Sequence, residues 1–258
     1  AIGHNAINGG TVTGDNNIAI GANAGDALTS GYQNVFIGEN AGGSVNTGVF
    51  NTVVGVSALK SATNSQYNAV FGLNAGDATT TGDRLTLIGT AAGRGNITDD
   101  GIGTVAVGYG AYNVGTSGIG NTVVGYEALD AEDDGDYNTA IGYQALTDQT
   151  GTSGAVGNTA MGYQAGFNLT TGVQNVAIGA HSMGLGVVTG DNNTAIGTGA
   201  GYDLTSGEQN TIVGKDAAVN LTIGNYNTAL GTNTLVTEDV GNSSVAVGYA
   251  ALYSQNSD

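Results

Sequence analysis

The acidic run 130–136, which reads Asp-Ala-Glu-Asp-Asp-Gly-Asp, is the segment of the chain best supplied with side chains that could do chemistry. Carboxylate oxygens on a glycine-containing loop are ligands that Ca²⁺ prefers. The run matches neither the EF-hand pattern nor the glycine-rich repeats of calcium-binding β-rolls, and the alternative is a solvated loop that keeps a β-rich protein soluble. The acidic pairs Asp99-Asp100 and Glu238-Asp239 occupy the matching loop position elsewhere, where they would hold counterions loosely. The candidate calcium ligands are Asp130, Glu132, Asp133, Asp134 and Asp136.

Tyrosine is the second residue type whose placement suggests a function. It directly follows a recurring glycine at Tyr109, Tyr126, Tyr143 and Tyr163, and again at Tyr249. If the segments that contain these tyrosines stack on one another, the rings form an exposed stripe of the kind that binds glycans. The alternative is that the rings pack against neighbouring subunits and leave their hydroxyl groups in water.

Catalytic constellations are missing from the sequence. His4 and His181 occupy neighbouring positions in distant units, so they cannot form a metal pair or a catalytic pair within one chain. No serine lies in a Gly-x-Ser-x-Gly elbow. Segments such as Gly101–Gly103 lack the strand–helix context of a nucleotide-binding fingerprint. We therefore expect that the protein is not an enzyme.

The composition excludes further classes. The chain has 258 residues with no Cys, which rules out disulfides, zinc fingers and thiol nucleophiles. Its 4 basic residues against 21 acidic ones cannot neutralise a nucleic acid or an anionic membrane. No apolar run is long enough to cross a membrane as a helix. We expect neither nucleic-acid binding nor membrane insertion.

A repeat organises the entire chain. An apolar residue followed by glycine, here called the anchor glycine, recurs with a spacing that is mostly 17 residues. Asparagine usually stands four residues before the anchor, a second glycine seven residues before it, and alanine three residues after it, giving Gly-x-x-Asn-Thr-Ala-Ile-Gly-Tyr-x-Ala. The anchors are Gly3, Gly21, Gly38, Gly55, Gly72, Gly89, Gly108, Gly125, Gly142, Gly162, Gly179, Gly197, Gly214, Gly231 and Gly248.

This repeat predicts an all-β, parallel β-solenoid (β-roll) of about 15 coils in one continuous array over residues 1–258. Gly, Asn, Thr and Val are weak helix formers, whereas the alternation in Asn-Thr-Ala-Ile-Gly is typical of a half-buried strand. The recurrent glycines should adopt positive φ or let backbones pass closely. Asparagine amides of successive coils should bond to each other in a ladder. Its members are Asn17, Asn34, Asn51, Asn68, Asn121, Asn138, Asn158, Asn175, Asn193, Asn210 and Asn227.

The apolar content of each repeat predicts self-association. We expect the residue before the anchor, mostly Ile or Val, to point inward together with the Thr or Val two residues earlier. One large inward aliphatic side chain buries too little apolar surface to stabilise a 17-residue coil, so a second apolar face buried between chains would complete the core. The sequence therefore predicts an oligomer, most simply a homotrimer.

Threonine three residues before the anchor suggests one further alternative. An uninterrupted outward threonine ladder is typical of ice-binding solenoids. Here Val or Ile interrupts it, at Ile18, Val35, Val105, Val176 and Val245, which favours a mostly buried face. The threonines are Thr52, Thr86, Thr122, Thr139, Thr159, Thr194, Thr211 and Thr228.

The segment Asn138–Ala145, Asn-Thr-Ala-Ile-Gly-Tyr-Gln-Ala, resembles the Asn-Ser-Val-Ala-Ile-Gly repeat of YadA-like trimeric autotransporter adhesin heads. Thr170–Gly172 with Asn175–Gly179 is similar to the Thr-Thr-Gly-x-x-Asn-Thr-Ala-Ile-Gly-Tyr arrays of phage tail-fibre-like and bacterial surface proteins. The resemblance covers essentially the whole chain and implies a trimeric β-roll at a cell surface or on a virion appendage. We therefore expect an extracellular structural fibre, a homotrimer or an end-to-end filament. The alternative is an adhesin head that binds a glycan or receptor through the tyrosine stripe and the variable loops.

Overall fold

The computed structural model describes residues 1–98, 102–150, 153–237 and 239–254. Its contacts group into two compact units, Ala1–Glu127 and Ala128–Asp258. Each unit is a parallel β-solenoid, and together they contain about 13 turns with a spacing of ~17 residues. A single continuous array over residues 1–258 stays a prediction.

The first unit contains one parallel sheet of short strands, one strand per turn. Successive strands pair in register, so that Val53 of one turn lies between Phe36 and Val70 of its neighbours. The strands are β1 (Ile18–Ile20), β2 (Val35–Ile37), β3 (Thr52–Val54), β4 (Ala69–Phe71), β5 (Thr86–Ile88), β6 (Val105–Val107) and β7 (Thr122–Val124).

The second unit repeats this arrangement and adds a small side sheet. The main strands are β9 (Thr139–Ile141), β11 (Thr159–Met161), β12 (Val176–Ile178), β13 (Thr194–Ile196), β14 (Thr211–Val213), β15 (Thr228–Leu230) and β16 (Val245–Val247). Strands β8 (Gly135–Asp136) and β10 (Gly154–Ala155) pair in parallel beside them. Strand β10 belongs to a lengthened turn, whose anchors Gly142 and Gly162 are 20 residues apart, whereas the turn of β8 has the ordinary length of 17 residues.

The number of turns is smaller than the number of anchor glycines suggested. We expected about 15 coils, and the structure has about 13 turns. At the first anchor the chain forms no strand, and only an isolated bridge joins Ile2 to Ile20. An anchor glycine therefore marks the end of a strand only where a complete turn precedes it.

The strands face the opposite way from our expectation. In every three-residue strand the middle residue is buried, as Ala195 is in β13, while Thr194 and Ile196 on either side are half-buried or exposed. The prediction that the large aliphatic residue before the anchor points inward was wrong. The core is filled instead by the middle residues and by side chains from the segment after the anchor, such as Leu204 and Leu221.

The two recurrent glycines serve different geometric needs. Anchor Gly55 has φ +148°, and a Cβ there would lie 2.2 Å from the carbonyl oxygen of Gly72, the next anchor. Gly48, seven residues before that anchor, has no positive φ, but a Cβ there would lie 2.4 Å from Ser65 O in the next turn. Side chains at either place would push successive turns apart, because parallel strands lie only about 4.8 Å from each other.

Left-handed backbone also occurs at places where the residue is not glycine. The residue five before the anchor is left-handed in successive turns, including Phe50 (φ 59°), Tyr67 (φ 59°) and Arg84 (φ 57°). Such a conformation costs a side-chain-bearing residue about 1–2 kcal/mol. The inter-turn ladder imposes this conformation: Tyr67 N donates to Val49 O at 3.1 Å, and Arg84 N to Gln66 O at 3.0 Å.

Candidate functional site

The predicted calcium ligands do not all lie on a solvated loop. Ligand oxygens of Glu132, Asp133 and Asp134 lie within 4.8 Å of one another. Asp133 is exposed, and Asp130, Asp134 and Asp136 are partly buried, but the side chain of Glu132 is fully buried. Asp99, Asp100 and Glu238 lie outside the described residues. The calcium site stays a prediction, which calorimetry with Ca²⁺ tests directly.

The carboxylate of Glu132 is held by hydrogen bonds within the protein. Its Oε1 accepts from Gly135 N at 2.8 Å and Asp134 N at 3.2 Å, and its Oε2 accepts from Gln149 Nε2 at 2.6 Å. The Gln149 side chain is also buried, and its Oε1 accepts from Asn158 Nδ2 at 3.1 Å. Glu132 therefore belongs to a buried polar network that connects two successive turns.

Burial raises the pKa of the Glu132 carboxyl, and the repulsion from Asp133 adds to this shift. The hydrogen bonds from Gly135, Gln149 and Asp134 act in the opposite direction and offset only part of it. Partial burial, followed by the charge of Asp133, also raises the pKa of Asp134. Both carboxyls therefore hold their protons more tightly than exposed ones do.

Sequence reasoning missed this network, although the sequence contains its signal. Glu132 and Gln149 each stand seven residues after an anchor glycine. In three other turns of the second unit this place holds a buried leucine, at Leu169, Leu204 and Leu221, and in the remaining turns the sequence has Gly186, Glu238 and Gln255 there. A glutamate at a place that often holds a buried leucine indicates a buried carboxylate rather than a surface one.

The asparagine ladder is a chain of paired amides inside each unit. Asn210 shows the pattern: its backbone N and its Nδ2 both donate to Asn193 Oδ1 at 3.0 Å, and its Nδ2 donates to Gly224 O at 2.8 Å. Asn34 and Asn51 repeat it in the first unit. Where asparagine is replaced, the backbone bond persists, since Leu85 N donates to Asn68 Oδ1 at 2.8 Å. The ladder satisfies polar groups at a buried corner and positions the strands that follow.

The predicted tyrosine stripe forms two stacked pairs, one in each unit. Tyr109 and Tyr126 stack with ring centroids 5.2 Å apart, and Tyr143 and Tyr163 stack at 5.5 Å. All four rings are exposed. In the second unit the row continues through edge-to-face contacts from Tyr163 to His181 at 5.1 Å and from His181 to Tyr202 at 6.2 Å.

A further aromatic row was not anticipated from the sequence. Tyr32 contacts Phe50 edge to face, Phe50 stacks on Tyr67 with centroids 5.0 Å apart, and the Arg84 guanidinium lies 5.8 Å from the Tyr67 ring centroid. Three of these residues stand five places before an anchor, at the left-handed position. Their common distance from the anchor glycine could have indicated this row in the sequence.

The outward side of each main sheet is an uncharged surface, which we call the outer strip. It consists of the first and third residues of β1–β7 in the first unit and of β9 and β11–β16 in the second unit. The third residues are Ile, Val, Phe, Met or Leu, and the first are mostly Thr or Val. The expectation that the threonine face is mostly buried was wrong, since Thr52 and Thr211 are exposed and the other threonines of the ladder are half-buried.

Within its described residues, the structure has no helix that is both long and apolar enough to cross a membrane. Comparisons of the chain with protein-family models, curated proteins and solved structures give no match.

Proposed function

We propose that the protein is a structural fibre protein, in which solenoids from separate chains pack along their outer strips to form a rigid extracellular shaft or filament. The observation that carries the proposal is the outer strip itself. Ile196 is 36% exposed, Leu230 47% and Val247 62%, and residues of the same kind stand in register on neighbouring strands. Exposed apolar residues that recur from strand to strand in this way mark sites of association.

The charge of the protein favours contact at this strip rather than elsewhere. The chain carries a net charge of -17, yet the outer strip contains no charged residue. Two chains can therefore approach through their strips without facing unpaired carboxylates, whereas the loops repel each other. A three-fold arrangement, and a place at a cell surface or on a virion appendage, are supported by the resemblance to trimeric adhesin heads and tail-fibre-like arrays.

Sedimentation equilibrium tests the proposal. We expect the mass of a trimer or of a larger assembly at micromolar concentration. Ile196→Glu places a charge in the outer strip and should weaken association at least tenfold, while Ser206→Glu adds the same charge at an exposed place outside the strip and should have little effect. A stable monomer at micromolar concentration would refute the proposal.

An adhesin head is the second candidate, favoured by the stacked tyrosines. Tyr109, Tyr126, Tyr143 and Tyr163 are each 42–53% exposed, so their ring faces and hydroxyl groups are open to a ligand. The predicted contribution of the variable loops has no comparable observation behind it. Binding of glycans by the isolated protein, lost when the tyrosines are replaced by alanine, is the result expected for a head.

Ice binding is the remaining candidate, favoured because the threonine ladder faces outward. It competes with self-association for the same surface, so the two can be separated by one pair of measurements. A monomer that produces thermal hysteresis would support ice binding and refute the fibre. A trimer without hysteresis would do the reverse.

A further inference from the structure

Two residues after each anchor glycine, side chains of successive turns form an outward row that we call the post-anchor row. In regular stretches its amides bond to one another: Asn5 Nδ2 donates to Asn23 Oδ1 at 3.2 Å, and Asn23 Nδ2 to Asn40 Oδ1 at 3.2 Å. In the second unit Gln164 Nε2 donates to Gln144 Oε1 at 2.9 Å. Where long polar side chains follow each other in successive turns, their hydrogen bonds therefore leave no open space in the row.

The post-anchor row of the second unit is interrupted at Gly199. His181 stands in the same row one turn before it and Asp216 one turn after it. The missing side chain leaves a gap in the row, and the Asp216 carboxylate leans into it, with Oδ1 2.6 Å from where a Cβ of residue 199 would lie. The gap opens a cleft of about 300 Å³ lined by His181, Thr198, Gly199, Tyr202, Asp216 and Val219.

The lining has two chemically different sides. Tyr202 and Val219, five residues after successive anchors, supply an aromatic ring and an aliphatic wall, both partly exposed. His181, whose ring contacts the Tyr202 ring edge to face, offers a ring nitrogen. Asp216 offers carboxylate oxygens, of which Oδ2 already pairs with Lys215 Nζ at 2.9 Å. A ligand that fits must combine an apolar face with hydroxyl groups at its edge.

We propose that this cleft binds a neutral pyranose sugar. A pyranose ring presents C–H groups on one face, suited to Tyr202 and Val219, and equatorial hydroxyls that can donate to Asp216 and bond to His181. The cleft volume lies at the lower end of the range of about 300–1,000 Å³ typical of ligand sites, which suits a small saccharide. The charge of -17 disfavours anionic sugars. The site lies outside the outer strip and binds sugar whether or not chains associate.

The cleft depends on glycine at position 199. A Cβ there would lie 2.6 Å from Asp216 Oδ1, so any larger residue would displace the carboxylate and fill the gap. Gly199 has φ +65°, a conformation that asparagine tolerates and that Asn233 adopts at the corresponding place with φ 55°. Gly199→Asn should therefore close the cleft by restoring the ordinary post-anchor row, without unfolding the protein.

Saturation-transfer NMR tests the inference, with cellobiose, lactose, chitobiose and sialyllactose as probes at millimolar concentration. We expect transfer to at least one neutral disaccharide, abolished by Gly199→Asn and weakened at least tenfold by Tyr202→Ala. Gly110→Asn is the matched control, because Gly110 is the glycine at the corresponding place in the first unit and has a similar φ of +61°. This control should bind as the unaltered protein does.

Each other outcome overturns the inference. Absence of transfer to any disaccharide removes the site, and preferential binding of sialyllactose removes its neutral specificity. Equal transfer in Gly199→Asn, or equal loss in Gly110→Asn, places binding elsewhere. Sedimentation of the same variants keeps the inference separate from the fibre proposal, since loss of sugar binding with unchanged mass, or the reverse, identifies which of the two has failed.

Discussion

Replacing Glu132 and Gln149 by leucine, singly and together, is the sharpest test of how the interior of the second unit is built. Leucine is the residue that neighbouring turns bury at this place, at Leu169 and Leu204, so the double variant restores a regular interior. Each single variant instead leaves one half of a buried polar pair. We therefore expect the double variant to be more stable than the sum of the single effects predicts.

The magnitudes follow from the hydrogen bonds that are lost. Glu132→Leu leaves the buried Gln149 Nε2 without its acceptor and removes the bond from Gly135 N to the carboxylate. Each unsatisfied group costs about 1–3 kcal/mol, partly offset because a carboxylate is no longer buried. We expect a net loss of about 1–3 kcal/mol. Gln149→Leu leaves Glu132 Oε2 buried without a partner and should cost more, about 3–5 kcal/mol.

The double variant should recover much of this loss. It removes both side chains of the pair, and Asn158 Nδ2, which loses Gln149 Oε1, keeps its bond to Gly172 O at 2.8 Å. The gain over the single variants comes from the Gln149 amide and the Glu132 carboxylate, because neither group is left buried without the other. The coupling energy of the cycle should be about 1–3 kcal/mol, favouring the double variant.

Urea unfolding measures the free energies of the double-mutant cycle formed by Glu132→Leu, Gln149→Leu and their combination, and amide hydrogen exchange reports on individual bonds. Exchange at Gly135 reports directly on the bond to Glu132, and it should accelerate in Glu132→Leu while amides in distant strands of the unit keep their rates, because repeat proteins respond mainly through nearest neighbours. A coupling energy within error of zero would refute the network. Unchanged exchange at Gly135 in Glu132→Leu would refute the bond itself.

The remaining predictions concern single places in the second unit and are read from urea unfolding. Because burial raises the pKa of Glu132, its ionised form opposes folding; its contribution to stability is complete below the unfolded pKa and is lost as the pH rises through the folded pKa, a dependence that Glu132→Gln should remove. Gly214→Ala should cost about 3 kcal/mol or more, since φ is +138° and a Cβ would lie 2.3 Å from the next anchor's carbonyl oxygen; a loss below about 1 kcal/mol would contradict the close stacking. Asn193→Ala removes three buried ladder bonds and should cost about 2–4 kcal/mol, whereas a neutral result would mean that the ladder adds no stability. Gln209→Gly relieves a left-handed conformation, φ 57°, and should stabilise by about 0.5–1 kcal/mol, while Glu208→Gly, beside it, should destabilise; equal effects would exclude strain at Gln209.

The period and the class of fold were predictable from the sequence. The anchor glycines fixed where strands end, and the spacing of 17 residues predicted parallel turns, which the structure has. Gly55 and Gly48 stand where the backbones of successive turns pass closest, so their type is dictated by geometry that the repeat exposes. Such features recur in most turns, and a single sequence reveals recurrent features well.

The facing of the strands was not predictable from alternation alone. In Thr-Ala-Ile either the two larger residues or the single small one can point inward, and a shift of one residue exchanges the faces. The left-handed residue five before the anchor, such as Gln209, and the positive φ of the anchor Gly214 set this choice through the backbone between them. Glutamine has no marked preference for that conformation, so local propensity did not signal it.

The candidate sites also differ in how far the sequence predicted them. The acidic run was visible as composition, but its one buried member, Glu132, could be identified only by counting seven residues from an anchor and comparing turns. The cleft at Gly199 could not be predicted from the sequence. A glycine in the post-anchor row indicates a cleft only when the side chains beside it in adjacent turns, here His181 and Asp216, are known. Irregularities inside a regular repeat are therefore where chemistry should be sought.

The buried Glu132–Gln149 network has a consequence for how the second unit folds. A chain made of nearly identical turns can pair each strand with the wrong neighbour, one whole turn out of step, and keep almost every contact. Such a misfolded form would place Glu132 opposite leucine and leave its carboxylate without the Gln149 amide. We expect the network to specify the correct pairing of turns, because it raises the free energy of chains that are misaligned by one turn. The leucine double variant should then gain thermodynamic stability but refold through more misaligned intermediates.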